Sequence, residues 1–127
     1  MKNIITTDLA PKAIGPYSQG VVANNLLFIS GQGAIDPLTN IYTPMTIEEE
    51  TEQALQNVKS IVEAAGSNLS KVIKITVFLK DIKEFPRMNE VYQKYFSENP
   101  PARSAIEASN LPKGFKVEIE AVALISD

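Results

Sequence analysis

Few side chains in this 127-residue chain can do chemistry, because it contains no His and no Cys. The commonest general base, the commonest metal ligand and the thiolate nucleophile are missing, and with them any disulfide, zinc-finger or iron–sulfur framework. What remains is an arginine and two glutamates on strand patterns near the end of the chain. Arg103 follows Pro100 and Pro101, which stiffen the entry to a strand pattern over 102–108. A planar guanidinium held there can take a carboxylate through two parallel hydrogen bonds. The plainer alternative is a structural ion pair with Glu118 or Glu120. Those glutamates lie two apart on the strand pattern 116–125 and so share a face with Lys116. Repulsion and partial burial would raise the proton affinity of one, and such a carboxylate could activate water. The alternative is a solvated polar strand face, with Val117, Ile119, Ala121 and Ala123 turned to the core.

Four other places carry weaker signals. Tyr17 offers a hydroxyl from the turn Gly15-Pro16-Tyr17-Ser18, or an aromatic plug at the domain edge. Ser30-Gly31-Gln32-Gly33 would let a backbone approach a ligand, but it is too short for a phosphate-cradling loop and also reads as glycines at a strand end. Asn89, on a helix, is a binding group or a solvated one. Ser104 and Ser109 have no His or Lys beside them in sequence and make no case as nucleophiles.

The elements that must position these residues are legible from periodicity. Asn3 to Thr7 reads as a short edge strand, and the two prolines and glycine of Ala10–Tyr17 forbid regular structure. Gln19–Ala23 and Leu26–Gly33 form a hairpin across Asn24-Asn25, a pair that tolerates positive φ. Asp36-Pro37 and Thr39-Asn40 carry turn chemistry. Thr46-Ile47-Glu48-Glu49 is a capping box opening a helix with apolar residues at helical spacing up to Gly66. Val72–Lys80, apolar on both parities, predicts a central strand buried on both faces. Asp81–Phe96 predicts a second helix, with Pro86 tolerable only in its first turn. Two more strands, 102–108 and 116–125, turn about Leu111-Pro112-Lys113-Gly114. The sum is an α+β domain with six strands and two helices. Two helices cover one face of such a sheet, so the other face needs a partner, and further copies of the same chain would supply it.

Composition bounds the function further. Twelve Lys and Arg against fifteen Asp and Glu give a net charge of −3, with no basic cluster. That argues against nucleic acid as a main partner. No apolar run approaches membrane-spanning length, and there is no repeat or linker. The expectation is a soluble, cytoplasmic protein folded as a single domain over residues 1–127.

The combination of Ala10-Pro11, Ile14-Gly15-Pro16-Tyr17-Ser18-Gln19-Gly20, Ile29-Ser30-Gly31-Gln32, Asn57-Val58-Lys59, Lys74-Ile75-Thr76-Val77-Phe78, Pro101-Ala102-Arg103-Ser104, Leu111-Pro112-Lys113 and Val117-Glu118-Ile119-Glu120-Ala121 resembles the RidA/YjgF family of imine and enamine deaminases. The likeness spans nearly the whole chain, and its motifs are specific as a set. It implies a chorismate-mutase-like (YjgF-type) fold, a six-stranded mixed sheet with two helices on one face, assembled as a homotrimeric barrel with ligand clefts between subunits. It also implies a reaction without cofactor or metal. Enamines such as 2-aminoacrylate, released by pyridoxal-phosphate dehydratases, tautomerise to 2-imino acids and are hydrolysed to 2-oxo acids and ammonia. By position, Arg103 would clamp the substrate carboxylate and Glu118 would orient or deprotonate water, while Tyr17, Ser30, Gly31 and Asn89 would line the cleft. An imine is already electrophilic, so orientation and one proton shuttle suffice.

One departure stands out. The family often has Cys two residues after the arginine, and here that residue is Ala105. The competing readings are a non-catalytic trimer that binds small carboxylates and, more remotely, a translation inhibitor or endoribonuclease. The enzymatic reading requires Arg103 and Glu118 to face a common hollow where protomers meet. Placement on opposite sides of the sheet would defeat it.

Overall fold

In a computed structural model that describes residues 1–127, the chain runs through β1 (Asn3–Ile5), β2 (Gly20–Ala23), β3 (Leu26–Gln32), β4 (Ile35–Asp36), β5 (Ile41–Tyr42), α1 (Ile47–Ala64), β6 (Val72–Leu79), α2 (Phe85–Tyr95), β7 (Ala102–Glu107) and β8 (Val117–Leu124). The six longer strands form one sheet in the order β1-β2-β3-β8-β6-β7. All neighbours are antiparallel except β6 and β7, which are parallel because α2 carries the chain back across the sheet between them. The β2–β3 hairpin turns on Asn24 and Asn25, at φ 50° and 66°.

Helix α1 starts where its sequence says it should. The Thr46 side chain accepts from Glu49 N–H and the Glu49 carboxylate accepts from Thr46 N–H, while Glu48, Glu49 and Glu50 meet the positive end of the helix dipole. Its apolar stripe, including Leu55, Val58, Ile61 and Val62, is fully buried against Leu27 of β3, Ile75 and Val77 of β6 and Ile119 of β8. Burying each such side chain stabilises the fold by about 1.5–3 kcal/mol. Helix α2 begins later than expected, at Phe85. Asp81–Glu84 forms a tighter turn, capped by the Asp81 side chain on Lys83 N–H, and Pro86 falls in the first helical turn where its missing N–H has no partner to lose.

After Gly33 the chain leaves the large sheet, and β4 and β5 pair as a small separate hairpin about the expected turn, closed by Asn40 N–H donating to the Asp36 carbonyl. One expectation needs correction. Strand β6 is central, between β8 and β7, but only one of its faces is buried. Val72, Ile75, Val77 and Leu79 face the helices, whereas Ile73 sits exposed at a bulge and Thr76 and Phe78 are half-buried on the other side. That other side carries cross-strand rows, Val21–Phe28–Val122–Lys74, Glu120–Thr76–Ser104 and Glu118–Phe78–Ile106. Phe28 and Ile106 are 47% and 49% exposed there. Both helices pack on the opposite face, which leaves this one bare.

Candidate functional site

The register decides which side of the sheet each candidate occupies. Arg103 pairs with Ile75, which points into the helix-covered core, and Glu118 pairs with Phe78, three residues further along β6. Partners across a ladder share a face and an odd step along a strand reverses it, so Arg103 and Glu118 lie on opposite faces of the sheet. The requirement that both face one hollow is not met within a chain. The structural ion pair of Arg103 with Glu118 or Glu120 is likewise absent.

Four of the candidates do come together on the bare face. Tyr17, Ser30, Gly31 and Glu118 line a hollow of about 630 Å3, walled by the Pro11–Tyr17 loop on one side and by Pro112, Lys113 and Phe115 on the other. Its floor is made by an irregularity in β3. From Ile29 to Gln32 that strand takes three steps while β8 takes two, from Ala121 to Ile119. The extra residue is a β-bulge, a feature that re-aims side chains. Glu118 lies against Gly31, where a Cβ would stand 2.7 Å from Glu118 Oε2. Gly33 is also a close approach, since a Cβ there would stand 2.3 Å from the Phe115 ring. The two glycines therefore make room for Glu118 and Phe115 rather than merely ending a strand. Ser30 holds the adjoining loop, its hydroxyl donating to the Ser18 carbonyl at 2.5 Å and its N–H to the Gln19 carbonyl at 3.0 Å.

Glu118 is half-buried in this hollow. Burial, and then the charge of Glu120 on the same face, raise its pKa above the ordinary carboxylate value. The solvated-face reading thus holds for exposed Glu120 but not for Glu118. Tyr17 is 53% exposed at the rim and is not an edge plug.

Arg103 and Asn89 form a second cluster on the helix side, outside the hollow. Arg103 Nη1 donates to Asn89 Oδ1 at 2.7 Å, and its guanidinium carbon lies 4.6 Å from the Tyr92 ring centroid and 5.2 Å from that of Phe85. Arg103 makes no ion pair and no other hydrogen bond. The Tyr92 hydroxyl beside it is buried with no partner at full hydrogen-bond geometry; burial raises its pKa, and the charge and nearby N–H groups of Arg103 work against that rise.

Sequence reasoning missed the residues that hold the hollow's walls. Gln19 is buried and clamps the irregular loop, accepting from Thr7 N–H at 2.7 Å and donating to the Thr7 and Pro11 carbonyls at 3.0 and 2.8 Å. Asn57 of α1 donates to the carbonyls of Gly33 and Ile35. Glu50, fully buried, accepts from Tyr42 Oη, Met45 N–H and Lys116 N–H and pairs with Lys116 Nζ at 3.4 Å. Gln19 and Asn57 lie in motifs that carry the family resemblance but have no role assigned by spacing, and Glu50 is one of three successive glutamates in the first turn of α1 with nothing to single it out. The register also gives Ser104 a cationic neighbour that linear spacing hid: Lys74 Nζ donates to its hydroxyl at 3.2 Å, the reverse of base activation. No cluster of three or more acidic side chains gathers that could hold a metal ion, and no helix is long and apolar enough to cross a membrane.

The profile of the endoribonuclease L-PSP family matches residues 7–125. This chain belongs to that family, also known as YjgF/RidA. Among its relatives in the family is a RutC family protein of Pyrococcus horikoshii, 54% identical over 97% of this chain and 98% of the relative. A 2-iminobutanoate/2-iminopropanoate deaminase of Bos taurus is 46% identical over 98% of this chain and 90% of its own. The crystal structure of E. coli TdcF with bound serine superposes with a TM-score of 0.93 at 42% identity, covering 98% of this chain and 99% of that one. The arrangement of two helices on a mixed six-stranded sheet is thus the YjgF fold.

Proposed function

We propose that this YjgF/RidA protein is a 2-imino acid deaminase whose sites form between copies of the chain. The observation that carries the reading is Arg103: a half-buried cation with no carboxylate partner, using a single N–H donor on Asn89 and leaving the rest of its fork open. Opposite placement is the outcome stated above to defeat the enzymatic reading, and it does exclude a site in which one chain supplies both groups; a site shared between two chains needs no common face. It leaves two incomplete halves, a hollow with the Glu118 acid and lysines in its walls but no guanidinium fork, and an Arg103 fork with no acid. A homotrimer in which the bare sheet faces pack together, each hollow bordered by the Arg103 cluster of a neighbour, joins them. The Bos taurus relative named as a deaminase and the serine held by TdcF, an amino acid with a free carboxylate, support a small 2-imino or 2-oxo acid as ligand.

In such a site Arg103 and Asn89 of one copy hold the substrate carboxylate. Glu118 of another takes a proton from water as the oxygen attacks C2 of the imine. Passing that proton to the imine nitrogen gives the tetrahedral carbinolamine; Glu118 then moves the carbinolamine hydroxyl proton to the amino group, the C–N bond breaks as C=O forms, and ammonia leaves behind a 2-oxo acid. Tyr17, Ser30 and the Gly31 backbone border the reacting atoms. The elevated pKa of Glu118 moves it toward the value that suits an acid–base shuttle. No covalent intermediate is needed, and the chain supplies no thiol at Ala105.

The test is ammonia release coupled to a threonine or serine dehydratase. Arg103→Ala should lower it by about 100-fold or more, and unchanged activity in that variant overturns the reading. The serine-bound relative also favours a non-catalytic carboxylate binder, for which calorimetry would show 2-oxobutyrate binding with no imine turnover. The family's nuclease name has less support here, given a net charge of −3 and no histidine.

A further inference from the structure

Phe85, Asn89 and Tyr92 stand at i, i+4 and i+7 on α2, the spacing that lines up one stripe of a helix, and all three point at the Arg103 guanidinium. The ring centroids lie 5.2 and 4.6 Å from its central carbon, while its one hydrogen bond is donated to Asn89 Oδ1. Within the chain, then, two aromatic faces and one amide oxygen hold this charge. Tyr92 is 5% exposed, yet its hydroxyl has no partner. That hydroxyl forms no hydrogen bond of full geometry, so the well-defined contact of Tyr92 with Arg103 is through the face of its ring.

We propose that Phe85 and Tyr92 are positioning residues for Arg103, clamping its fork by cation–π contact so that the unused N–H edge is already aimed and partly dehydrated when a carboxylate arrives. A carboxylate partner would hold the charge more strongly but would occupy the donors that the ligand needs. Aromatic faces attract the cation without touching its N–H groups. Asn89 adds one acceptor at Nη1 and fixes the rotation of the plane. The benefit is orientation settled before binding, so the side-chain entropy lost when the ligand docks is smaller.

This inference rests on the proposed role of Arg103, and three variants separate the two claims. Tyr92→Phe keeps the ring and should leave KM within about twofold, with a Tm equal to or above that of the parent. Tyr92→Leu removes the face and should raise KM, and the dissociation constant of 2-oxobutyrate measured by calorimetry, by about 5- to 30-fold with little change in kcat. Phe85→Leu, at the more open end of the stripe, should give a smaller shift of the same kind and guards against a Tyr92→Leu variant that does not fold. If Arg103→Ala abolishes activity while both leucine variants bind and turn over as the parent does, the clamp is refuted and the site reading stands. If Arg103→Ala is fully active, the site reading itself fails. A loss of Tm in the leucine variants with KM unchanged marks the rings as core packing only and also refutes the clamp.

Discussion

At the scale of single residues the decisive contact is Glu118 on Gly31. Replacing Gly31 by Ala places a Cβ within 2.7 Å of Oε2 and 2.8 Å of Cδ, so the carboxylate must move. Displacing a reacting group by about 1 Å can cost about 100-fold in rate, and Gly31→Ala should show that loss in the coupled ammonia assay with the fold retained by circular dichroism. The raised pKa of Glu118 has consequences of opposite sign for activity and stability. The proposed base works only when ionised, so the acid limb of kcat/KM should fall at a pH above that of an ordinary glutamate. The folded chain holds this proton more tightly than the unfolded chain does. Its contribution to stability is therefore fully present below the ordinary carboxylate pKa and is lost as pH rises through the folded value. Glu118→Gln, neutral at every pH, should be inactive yet have a Tm at pH 7 equal to or a few degrees above that of the parent, with the gap closing near pH 4 in scanning calorimetry.

At the scale of elements the site depends on one crossover and one knot. The β6–α2–β7 unit lays α2 over the strand that carries Arg103, which is why a helix stripe can hold a strand side chain. The knot is Glu50, reaching from the first turn of α1 to Tyr42 on β5 and to Lys116 at the start of β8. Tyr42 in turn packs edge-on against Phe115 with ring centroids 4.8 Å apart, and Phe115 walls the hollow. Glu50→Ala would leave the Tyr42 hydroxyl and the Lys116 cation without their partner. It should cost about 3 kcal/mol in urea unfolding and raise KM as the Phe115 wall loosens. Glu50→Gln, which keeps acceptor geometry without the charge, should cost less.

At the scale of the whole molecule the bare sheet face carries the argument. Phe28 and Ile106 are each about half exposed on it, in rows with Val21, Val122 and Phe78 and beside the polar Lys74, Thr76, Ser104 and Glu120, so large apolar side chains stand uncovered on a mixed face. If copies pack through it, a charge there is buried without a partner. If the proposed trimer forms, the parent should run as a trimer in light scattering and the double variant Phe28→Asp, Ile106→Asp as a monomer, and the proposed deaminase activity should fall with the assembly although Arg103 and Glu118 are untouched. A monomer as active as the parent would show that one chain suffices.

Much of this protein is written locally in its sequence. The capping box at Thr46, the Asn24-Asn25 turn, the β-branched strands and Pro86 in a first turn are choices made by neighbours a few residues apart, so periodicity and turn chemistry reveal them. The same holds for the identity of the candidate residues, because without His or Cys few groups remain, and Pro101-Ala102-Arg103-Ser104 and Glu118-Ile119-Glu120 are among the motifs that carry the resemblance. Pairing between distant segments had to be seen. The register of β6 against β7 and β8 sends Arg103 and Glu118 to opposite faces, and one slipped residue would have reversed that. The bulge at Ser30-Gly31, the Glu50 knot and the aromatic clamp on Arg103 likewise join residues far apart in the chain. Composition and spacing determine which chemical groups are available and which elements carry them, whereas long-range packing determines which groups meet, because strand register and helix crossover are settled only when the sheet closes.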